Sequence, residues 1–496
     1  MKRAAMLIAL AMLGACTVGP DYQRPEISVP ASYRYEPKSV APAPDAEWWK
    51  RFGDPVLDGY VIEALAHNKN LQVAVANVEK AAGVLTTTRS AFFPQASYQA
   101  NATRQQYSER TGGLLSGLID NPQNSYQVLA GASWEIDLWG RIRRLSESAR
   151  ANLLATDAAR QGVVLSLVAT VTSTYLQLLG LDEQLLIAQR TLDTYGQSVK
   201  LFELQKQYGQ LSSMTLEQAR SQYETAAAQI PVIKTQIAQT ENALSILLGR
   251  NPGPLTRGKK ITELVMPPVP PGLPSQLLER RPDLIQAEQT LIAANAQIGA
   301  ARAQYFPSIS LTGAFGSTSA QLSNLFSGPS GVWSFGASAI GPIFTGGAIA
   351  GQVAQAEAGE KAALASYEAS IQNAFADVEN ALVANTNLNE QLSAQERLVH
   401  SLSEYARLAR MQYNEGYTSY TTVLQAEQQL FPSELNLSNI RAQRYGSLVN
   451  IYKALGGGWV EKANTFSPQP LLGSALPQPT GETMPMQKGN EGDGAP

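Results

Sequence analysis

The sequence predicts a mixed fold of long α-helices and membrane-type β-strands, arranged as two structural repeats within one chain. Three observations predict it. Short motifs of the first half recur in the same order in the second half. Each half also contains a long proline-free tract in which apolar residues follow helical spacing, and two segments in which apolar and polar residues alternate.

The N-terminus has the pattern of an export signal. Residues 1–15 combine a positive start, an apolar run from Ala4 to Leu13 that is too short to span a membrane, and small residues, as a signal peptide does. The small residues directly before Cys16, the only cysteine, resemble a bacterial lipobox, whose cleavage leaves Cys16 as a lipid-carrying N-terminus. The alternative is an ordinary signal peptide with an incidental cysteine. In the lipoprotein class, Thr17 in place of Asp implies sorting to the outer membrane.

Proline-rich stretches divide the chain into segments. The chain is rich in proline and poor in periodicity from Pro20 to Pro44, and residues 16–56 are expected to form an extended tether between the lipid and the folded body. The first repeat covers 57–249, and the second covers 275–458. A linker over 250–274, at mid-height of the molecule, separates them. Residues 459–496 are expected to form a short segment at the same height and then a disordered tail.

Matching motifs define the repeats. They are an aromatic residue before proline, a glycine turn before serine, and a leucine–glycine helix end. In that order, the pairs are Phe93–Pro94 with Phe306–Pro307, Gly209-x-x-Ser212 with Gly416-x-x-Ser419, and Leu248–Gly249 with Leu455–Gly456. Each repeat therefore has the order helix, strand, strand, long helix and return helix.

Each repeat is predicted to contain one very long helix. Apolar residues recur in steps of three and four, as in a coiled-coil seam, at Val164, Val168, Val171 and Tyr175 and again at Ile371, Phe375, Val378 and Leu382. A helix over 141–208 would measure roughly 100 Å at ~1.5 Å per residue. Each repeat also has two shorter predicted helices, over 57–91 and 212–249 in the first and over 275–304 and 419–455 in the second. In each repeat the summed length of the two shorter helices matches the length of the long helix. We therefore predict that two short helices stack end to end beside each long one.

Four segments are predicted to be membrane strands. They alternate between apolar and polar residues over about 95–108, 124–138, 307–319 and 332–344. An apolar face toward lipid and a polar face toward a lumen is typical of outer-membrane barrels. On the polar face of the second strand, Glu135 and Asp137 are expected to be a lumen-facing charged pair and not a general acid and base.

A lipid-exposed sheet has to close, because open edges leave backbone groups without hydrogen bonds in hydrocarbon. About eight strands is the practical minimum for a bacterial barrel, and one chain supplies four. Subunits must therefore share one barrel. Closure by itself allows two chains or three.

Four motifs resemble those of one family. They read Trp48-Trp49-x-x-Phe52-x-Asp54-Pro55-x-Leu57, Trp134-Glu135-Ile136-Asp137-Leu138-Trp139-Gly140-Arg141, Glu279-Arg280-Arg281-Pro282-Asp283-Leu284 and Tyr452-Lys453-Ala454-Leu455-Gly456-Gly457-Gly458-Trp459. Over about Trp48 to Trp459 the chain resembles the TolC-type outer membrane factors, in the lipoprotein branch that works with resistance-nodulation-division (RND) efflux pumps. The resemblance implies a homotrimer with a twelve-strand barrel and a helical periplasmic tunnel. Such a trimer is a passive exit duct for drugs or other small molecules, served by a periplasmic adaptor (membrane fusion) protein and an inner-membrane RND pump.

The resemblance also implies roles for two turns. The long helices reverse at Gly209-x-Leu211-Ser212 and at Gly416-x-Thr418-Ser419, where glycine supplies the reversing backbone in any case. In similar proteins these turns form the periplasmic tip that adaptor hairpins grip.

Residues just inside the tip narrow the pore in similar proteins through Tyr, Arg and Asp side chains. Tyr413 matches that pattern, whereas Asn414, Gln425 and Thr215 stand where relatives often carry Arg or Asp. The gate is therefore expected to be less charged and to rest on neutral hydrogen bonds, each worth about 0.5 to 1.5 kcal/mol.

Two other interpretations are a periplasmic adaptor lipoprotein and a structural lipoprotein that tethers envelope layers. Neither has a use for four membrane-type strands. No nucleophile motif accompanies His67 or His400, so no enzyme is expected. One Cys and two His supply no metal site, and a net charge of −3 gives no basic surface for nucleic acid. No cofactor is expected either.

Overall fold

The structure is a computed structural model that describes residues 17–27, 30, 32–35, 47–108, 121–269, 274–456 and 460–472. Three sequence predictions therefore lie outside the described residues. They are the signal peptide, the lipidation of Cys16 and most of the disordered tail.

The described elements follow one another as helices, a strand pair, a long helix and a return helix, twice. The first half contains α1 (Pro55–His67), α2 (Lys69–Ser90), β1 (Gln95–Gln105), β2 (Gln123–Ile136), α3 (Arg141–Gln207) and α4 (Ser213–Leu247). The second half contains α5 (Pro274–Arg280), α6 (Pro282–Ala303), β3 (Ser308–Ser319), β4 (Gly331–Ile340), α7 (Ala348–Asn414), α8 (Tyr420–Ala454) and α9 (Val460–Asn464). A short 3-10 turn, Trp48–Phe52, precedes α1.

The two long helices are confirmed. Both α3 and α7 have 67 residues, which corresponds to roughly 100 Å at ~1.5 Å per residue. An 18-residue window of α3 is long and apolar enough to cross a membrane, with a mean hydropathy of 1.6. Because 61% of that window is buried inside the chain, α3 is a core helix of the wall.

Two predicted helices are each broken in two. The helix expected over 57–91 stops at His67 because Asn68 leaves helical geometry, and the Asn68 side chain accepts a hydrogen bond from Leu71 N at 3.0 Å to cap α2. The helix expected over 275–304 stops at Arg280. Its break is caused by Pro282, which biases the preceding residue toward extended backbone.

Both breaks lie where short helices meet end to end. In the first half, Asn68 Nδ2 donates to Leu247 O at 2.9 Å and so joins the start of α2 to the end of α4. In the second half, Arg281 Nη1 donates to Ala454 O at 3.0 Å and joins the start of α6 to the end of α8. The stacking of short helices thus has a matching polar joint in each repeat.

The four strands form one antiparallel sheet in the order β1-β2-β3-β4, as the alternation predicted. Its register aligns Tyr98, Ala130, Phe315 and Trp333 in one row across the strands. The fourth strand ends at Ile340, before the predicted end at 344, because Pro342 has no N–H to donate to a ladder.

The helices form a wall with a fixed neighbour order. Nearer the sheet, α3 and α6 pack between α2 and α7; farther from it, α3 and α8 pack between α4 and α7. The largest apolar core lies at mid-height, where Trp48 stacks on Tyr452 with ring centroids 4.8 Å apart. The sheet lies at one end of this wall and the two glycine turns lie at the other.

Candidate functional site

One face of the sheet is apolar and uncovered. Large aromatic side chains stand on it: Tyr98 is 89% exposed, Phe335 80% and Trp333 72%. No described helix packs on this face. A contiguous bare aromatic surface of this kind marks a contact with a membrane or a partner.

The other face is polar, and its side chains pair across the strands. Ser310 and Ser338 share a hydrogen bond at 2.8 Å, and Gln127 Nε2 donates to Thr318 Oγ1 at 3.5 Å. Strands β1 and β4 form the two edges of the sheet within the chain. The sheet thus presents an apolar face, a polar face and two edges that can pair with further strands.

Aromatic residues mark the rim where the sheet meets the helices. Trp139 stacks on Phe306 with centroids 4.6 Å apart, and its indole N–H donates to Pro307 O at 2.8 Å. Trp134 Nε1 donates to Phe92 O at 2.9 Å. Rings with one apolar body and one polar group are enriched at membrane–water interfaces, so this rim has the chemistry of the interfacial layer.

The expected lumen-facing pair of Glu135 and Asp137 is corrected by the structure. Asp137 lies beyond the end of β2, and its carboxylate accepts from Ile142 N at 3.0 Å and Arg143 N at 2.9 Å. It caps α3 because Gly140, at the N-cap position, has no side chain to do so. Glu135 instead pairs with Arg141 at 2.8 Å.

The two turns at the far end share one backbone design. Gly209 and Gly416 have φ values of 69° and 78°, in the left-handed region that favours glycine. In each turn the next residue donates back into the helix, from Gln210 N to Gln205 O and from Tyr417 N to Gln412 O, both at 2.9 Å. These bonds end both long helices in the same way.

The predicted tip residues differ in their side-chain contacts. Ser212 Oγ accepts from Thr215 N at 3.1 Å and lies 3.0 Å from Thr215 Oγ1, so Thr215, predicted as a gate residue, belongs to the cap of α4. Ser419 makes no side-chain cap hydrogen bond, whereas Thr418 Oγ1 lies 2.8 Å from Thr422 Oγ1. Leu211 is half-buried against the apolar cluster at the tip.

The remaining predicted gate residues lie in two environments. Tyr413 is half-buried and packs edge-on against Phe202 and Tyr420, with centroids 6.2 and 5.4 Å away. Burial raises the pKa of Tyr413. Asn414 and Gln425 are exposed. The structure therefore brings Tyr413 into an aromatic cluster and leaves the two amides at the surface.

A charged pair just inside the tip is a feature that was not predicted from the sequence. Arg410 of α7 donates to Glu427 of α8, whose side chain is buried. Tyr195 of α3 adds a hydrogen bond from its hydroxyl to Glu427 O at 3.3 Å. Burial raises the pKa of the Glu427 carboxyl, and the nearby Arg410 opposes that rise. The only signal in the sequence is the spacing of the pair along its helices. Arg410 lies one turn before Tyr413, and Glu427 lies two residues after Gln425.

Two of the family-like motifs have structural roles at mid-height. Asp54 is fully buried and accepts from Tyr175 Oη at 2.8 Å and Lys259 N at 3.0 Å. Arg281 binds Asp283 at 2.7 Å and Asp377 at 2.9 Å. These groups join separate segments of the chain at mid-height. The candidate functional surfaces are therefore the sheet and the tip.

An antiparallel sheet with a bare apolar face, set on a helical wall of this length, is the architecture of an outer-membrane channel protein. The chain belongs to the outer membrane efflux protein family, whose model matches residues 61–250 and 273–457.

Relatives and solved structures agree with this assignment. The chain is 38% identical to the toluene efflux pump outer membrane protein TtgI of Pseudomonas putida, over 92% of this chain and 98% of that one. It is 36% identical to the probable outer membrane lipoprotein SilC of Salmonella typhimurium, over 91% and 97%. The open-state structure of the MtrE outer membrane channel of Neisseria gonorrhoeae is 33% identical, with a TM-score of 0.81 and 90% and 99% of the chains covered.

The function follows from the family. The protein is the outer-membrane channel component of an efflux system, it resides in the outer membrane, and its helices extend into the periplasm. The family consists of channels and not of enzymes. The interpretations as an adaptor or a structural tether are not supported, because the chain matches efflux channels over nearly its whole length.

Proposed function

We propose that three copies of the chain form one lipid-anchored exit duct, with a twelve-strand barrel in the outer membrane and a tunnel of helices below it. The observation that carries this proposal is the sheet, which has a bare apolar face and two free edges, β1 and β4. In hydrocarbon, open edges leave backbone donors and acceptors unsatisfied. Pairing β4 of one copy with β1 of the next satisfies them.

The helical wall supports the same ring. Within the chain, α2 and α4 border it on one side and α7 borders it on the other. In a ring, α7 of one copy would pack against α2 and α4 of the next. Ile343 and Phe344, which lead into α7, are at least 90% exposed in the single chain and would be covered by such a neighbour or by lipid.

The number of copies follows from the need for a lumen. Two chains would give eight strands, and a barrel of about eight strands is filled by its own side chains. Three chains give twelve strands, which leaves room for a passage. The resemblance to trimeric outer membrane factors supports the same number.

The position of Thr17 supports a lipid anchor on Cys16. Thr17 lies against Gly140, and Val18 N donates to Trp139 O at 3.2 Å, at the aromatic rim below the sheet. A lipid on the preceding residue would therefore reach the periplasmic leaflet of the outer membrane. The relative SilC is itself named a probable outer membrane lipoprotein.

The tip is proposed to receive a periplasmic adaptor protein that links the channel to an inner-membrane RND pump. Its contact residues would be those of the two turns, Gly209, Leu211, Ser212, Gly416, Thr418 and Ser419. Exposed apolar side chains flank them, including Tyr208, Met214 and Tyr417. Helix hairpins of a partner can pack on such knobs.

The tip proposal is tested by bulky substitutions. Ser212→Trp and Ser419→Trp should abolish efflux and leave the trimers intact, because they block the partner and not the wall. Asn439→Trp, at an exposed position of α8 far from the turn and away from the borders of the wall, is the control and should keep efflux. Loss of trimers in the tip variants would show that the turns have a structural role only.

Tyr413, Asn414, Gln425 and Thr215 are proposed to narrow the pore at the tip. The aromatic packing of Tyr413 against Phe202 and Tyr420 supports a role for Tyr413 in holding the closed form. Conductance across planar bilayers should rise in Tyr413→Ala. Unchanged conductance would remove Tyr413 from the gate.

We also propose that the duct is passive and accepts drugs or other small molecules chosen by its pump. The relative TtgI serves a toluene pump, and the polar face of the sheet carries small hydroxyl and amide groups that would select weakly.

Native mass spectrometry of the extracted protein tests the assembly. Three chains with three lipids are expected, and a stable single chain would refute the shared barrel.

A further inference from the structure

The first described residues of the chain, 17–27, lie against the wall directly below the sheet. Val18 N donates to Trp139 O at 3.2 Å, and the buried Arg144 of α3 binds the Asp21 carboxylate at 2.6 Å. The segment is thus docked at the junction between β2 and α3.

Three glycines make this close approach sterically feasible. A Cβ at Gly299 of α6 would lie 2.7 Å from Val18 O and 2.8 Å from Arg144 Cγ. A Cβ at Gly19 would lie 2.4 Å from Gly299 Cα, and one at Gly140 would lie 2.7 Å from Thr17 Cγ2. The segment therefore fills the space that a side chain would take on the wall.

The contacts continue along α6 in one register. Tyr22 Oη donates to Glu288 Oε1 at 3.2 Å, and Arg24 Nη2 donates to Glu288 Oε2 at 3.0 Å. Glu288 precedes Gly299 by about three helical turns, on the order of 16 Å. An extended chain from Gly19 to Arg24 covers roughly the same distance, so the segment runs antiparallel to α6 without slack.

We propose that Gly140, Arg144, Glu288 and Gly299 form a binding site, termed the N-terminal seat, that holds residues 17–24 and so fixes where the lipid of Cys16 enters the membrane. This inference rests on the proposed function, since it requires Cys16 to carry lipid. Consecutive Cα atoms are ~3.8 Å apart. Thr17, which follows the lipid-bearing position, is held beside the rim, and the partner of the lipid is the hydrocarbon of the periplasmic leaflet.

A seated anchor acts differently from one on a free tether. A free tether lets the lipid sample many positions around the body, whereas a docked segment keeps it at one position and one height relative to the sheet. The lipid and the bare apolar face then enter the same bilayer in one fixed geometry. The seat thereby becomes part of the membrane-anchoring machinery of the channel.

Gly299→Ala tests the seat in the intact lipidated protein. The new Cβ collides with the main chain of the segment, while α6 gains helix propensity, so the wall should remain and the segment should leave. Limited digestion with proteinase K, read by mass spectrometry, should cut within residues 17–24 on the order of tenfold faster than in the unsubstituted protein. The released peptide should carry the lipid mass.

Gly59→Ala is the matched control, because a Cβ at Gly59 of α1 meets nothing within 4 Å and that helix gains the same propensity. It should be cut like the unsubstituted protein. If Gly299→Ala does not assemble, Glu288→Gln removes the charge that Arg24 binds and should accelerate cleavage in the same direction.

The outcomes separate the two proposals. Equal cleavage of Gly299→Ala and the unsubstituted protein, with lipid present on both, would overturn the seat and leave the anchor. An N-terminal peptide without lipid in the unsubstituted protein would overturn the anchor on Cys16 and, with it, the role assigned to the seat.

Discussion

The turn between α3 and α4 and the turn between α7 and α8 have the same backbone but are held by different interactions. The first is capped by Ser212 and Thr215, and an exposed Arg220–Glu203 pair also joins α3 to α4 at 2.8 Å. The second has no side-chain cap at Ser419, and its equivalent pair, Arg410–Glu427, has a buried carboxylate. The aromatic cluster of Tyr413 includes Phe202 of α3 and so contacts both hairpins. The second hairpin therefore differs from the first in the burial of its charged pair and in the absence of a side-chain cap, so loss of the charged pair should weaken it more.

The largest expected effect is on the buried charged pair. Arg410→Met leaves the Glu427 carboxylate buried without its cation, which should cost up to about 3 kcal/mol, at the low end for a broken buried pair because Arg410 is partly exposed. Hydrogen exchange should accelerate in the α7–α8 hairpin and remain unchanged in the α3–α4 hairpin.

Arg407→Met is the matched control for that prediction. Arg407 pairs with Glu404 on the same helix at an exposed position, and such pairs contribute roughly 0 to 1 kcal/mol. Similar acceleration in both variants would contradict a special role for the buried pair.

Substitution of the turn glycines should affect both hairpins equally. Gly209→Ala and Gly416→Ala each place a Cβ on left-handed backbone in open space, at a cost of about 1 to 2 kcal/mol. Denaturant midpoints of the two variants should therefore shift alike. Unequal shifts would show that the two backbones differ in strain.

The serine caps should separate the turns by a smaller amount. Ser212→Ala removes a cap hydrogen bond worth about 1 kcal/mol, whereas Ser419→Ala removes none and should stay within about 0.5 kcal/mol of the unsubstituted protein. Hydrogen exchange in the first turns of α4 and α8 measures both. Equal losses would show that Ser419 also caps its helix in solution.

The smallest expected effect is a pH dependence of the second hairpin. Because burial raises the pKa of Glu427 above its value of 4.5, the folded state binds more protons than the unfolded chain as the pH falls toward that value. The contribution of Glu427 to stability should therefore increase as the pH falls through the window above 4.5.

The pH effect is measured against Glu427→Gln. The difference in unfolding free energy, unsubstituted protein minus variant, should increase as the pH falls from 7 to 5. A difference that falls over this range would mean that attraction to Arg410 outweighs burial.

The sequence predicted the parts of the fold that depend on local periodicity. The long helices and the four strands follow from spacings of 3.6 and 2 residues, which are visible in any short window. The breaks at Asn68 and Arg281 were missed, because caps and single prolines act at one residue and are hidden by the continuing apolar pattern.

The functional residues were predicted unevenly for a similar reason. The glycine turns could be placed, since positive φ at a helix reversal calls for glycine. The burial of Glu427 and the docking of residues 17–24 could not, because both depend on side chains more than a hundred residues away, such as Tyr195 and Glu288.

Particle imaging of the detergent-extracted protein tests most directly whether three chains share one barrel and form a duct. We expect a hollow particle with threefold symmetry, a short detergent belt around the sheet and a helical rod of roughly 100 Å beyond it. A solid rod, or a single chain that needs no detergent, would contradict the shared barrel and the duct built on it.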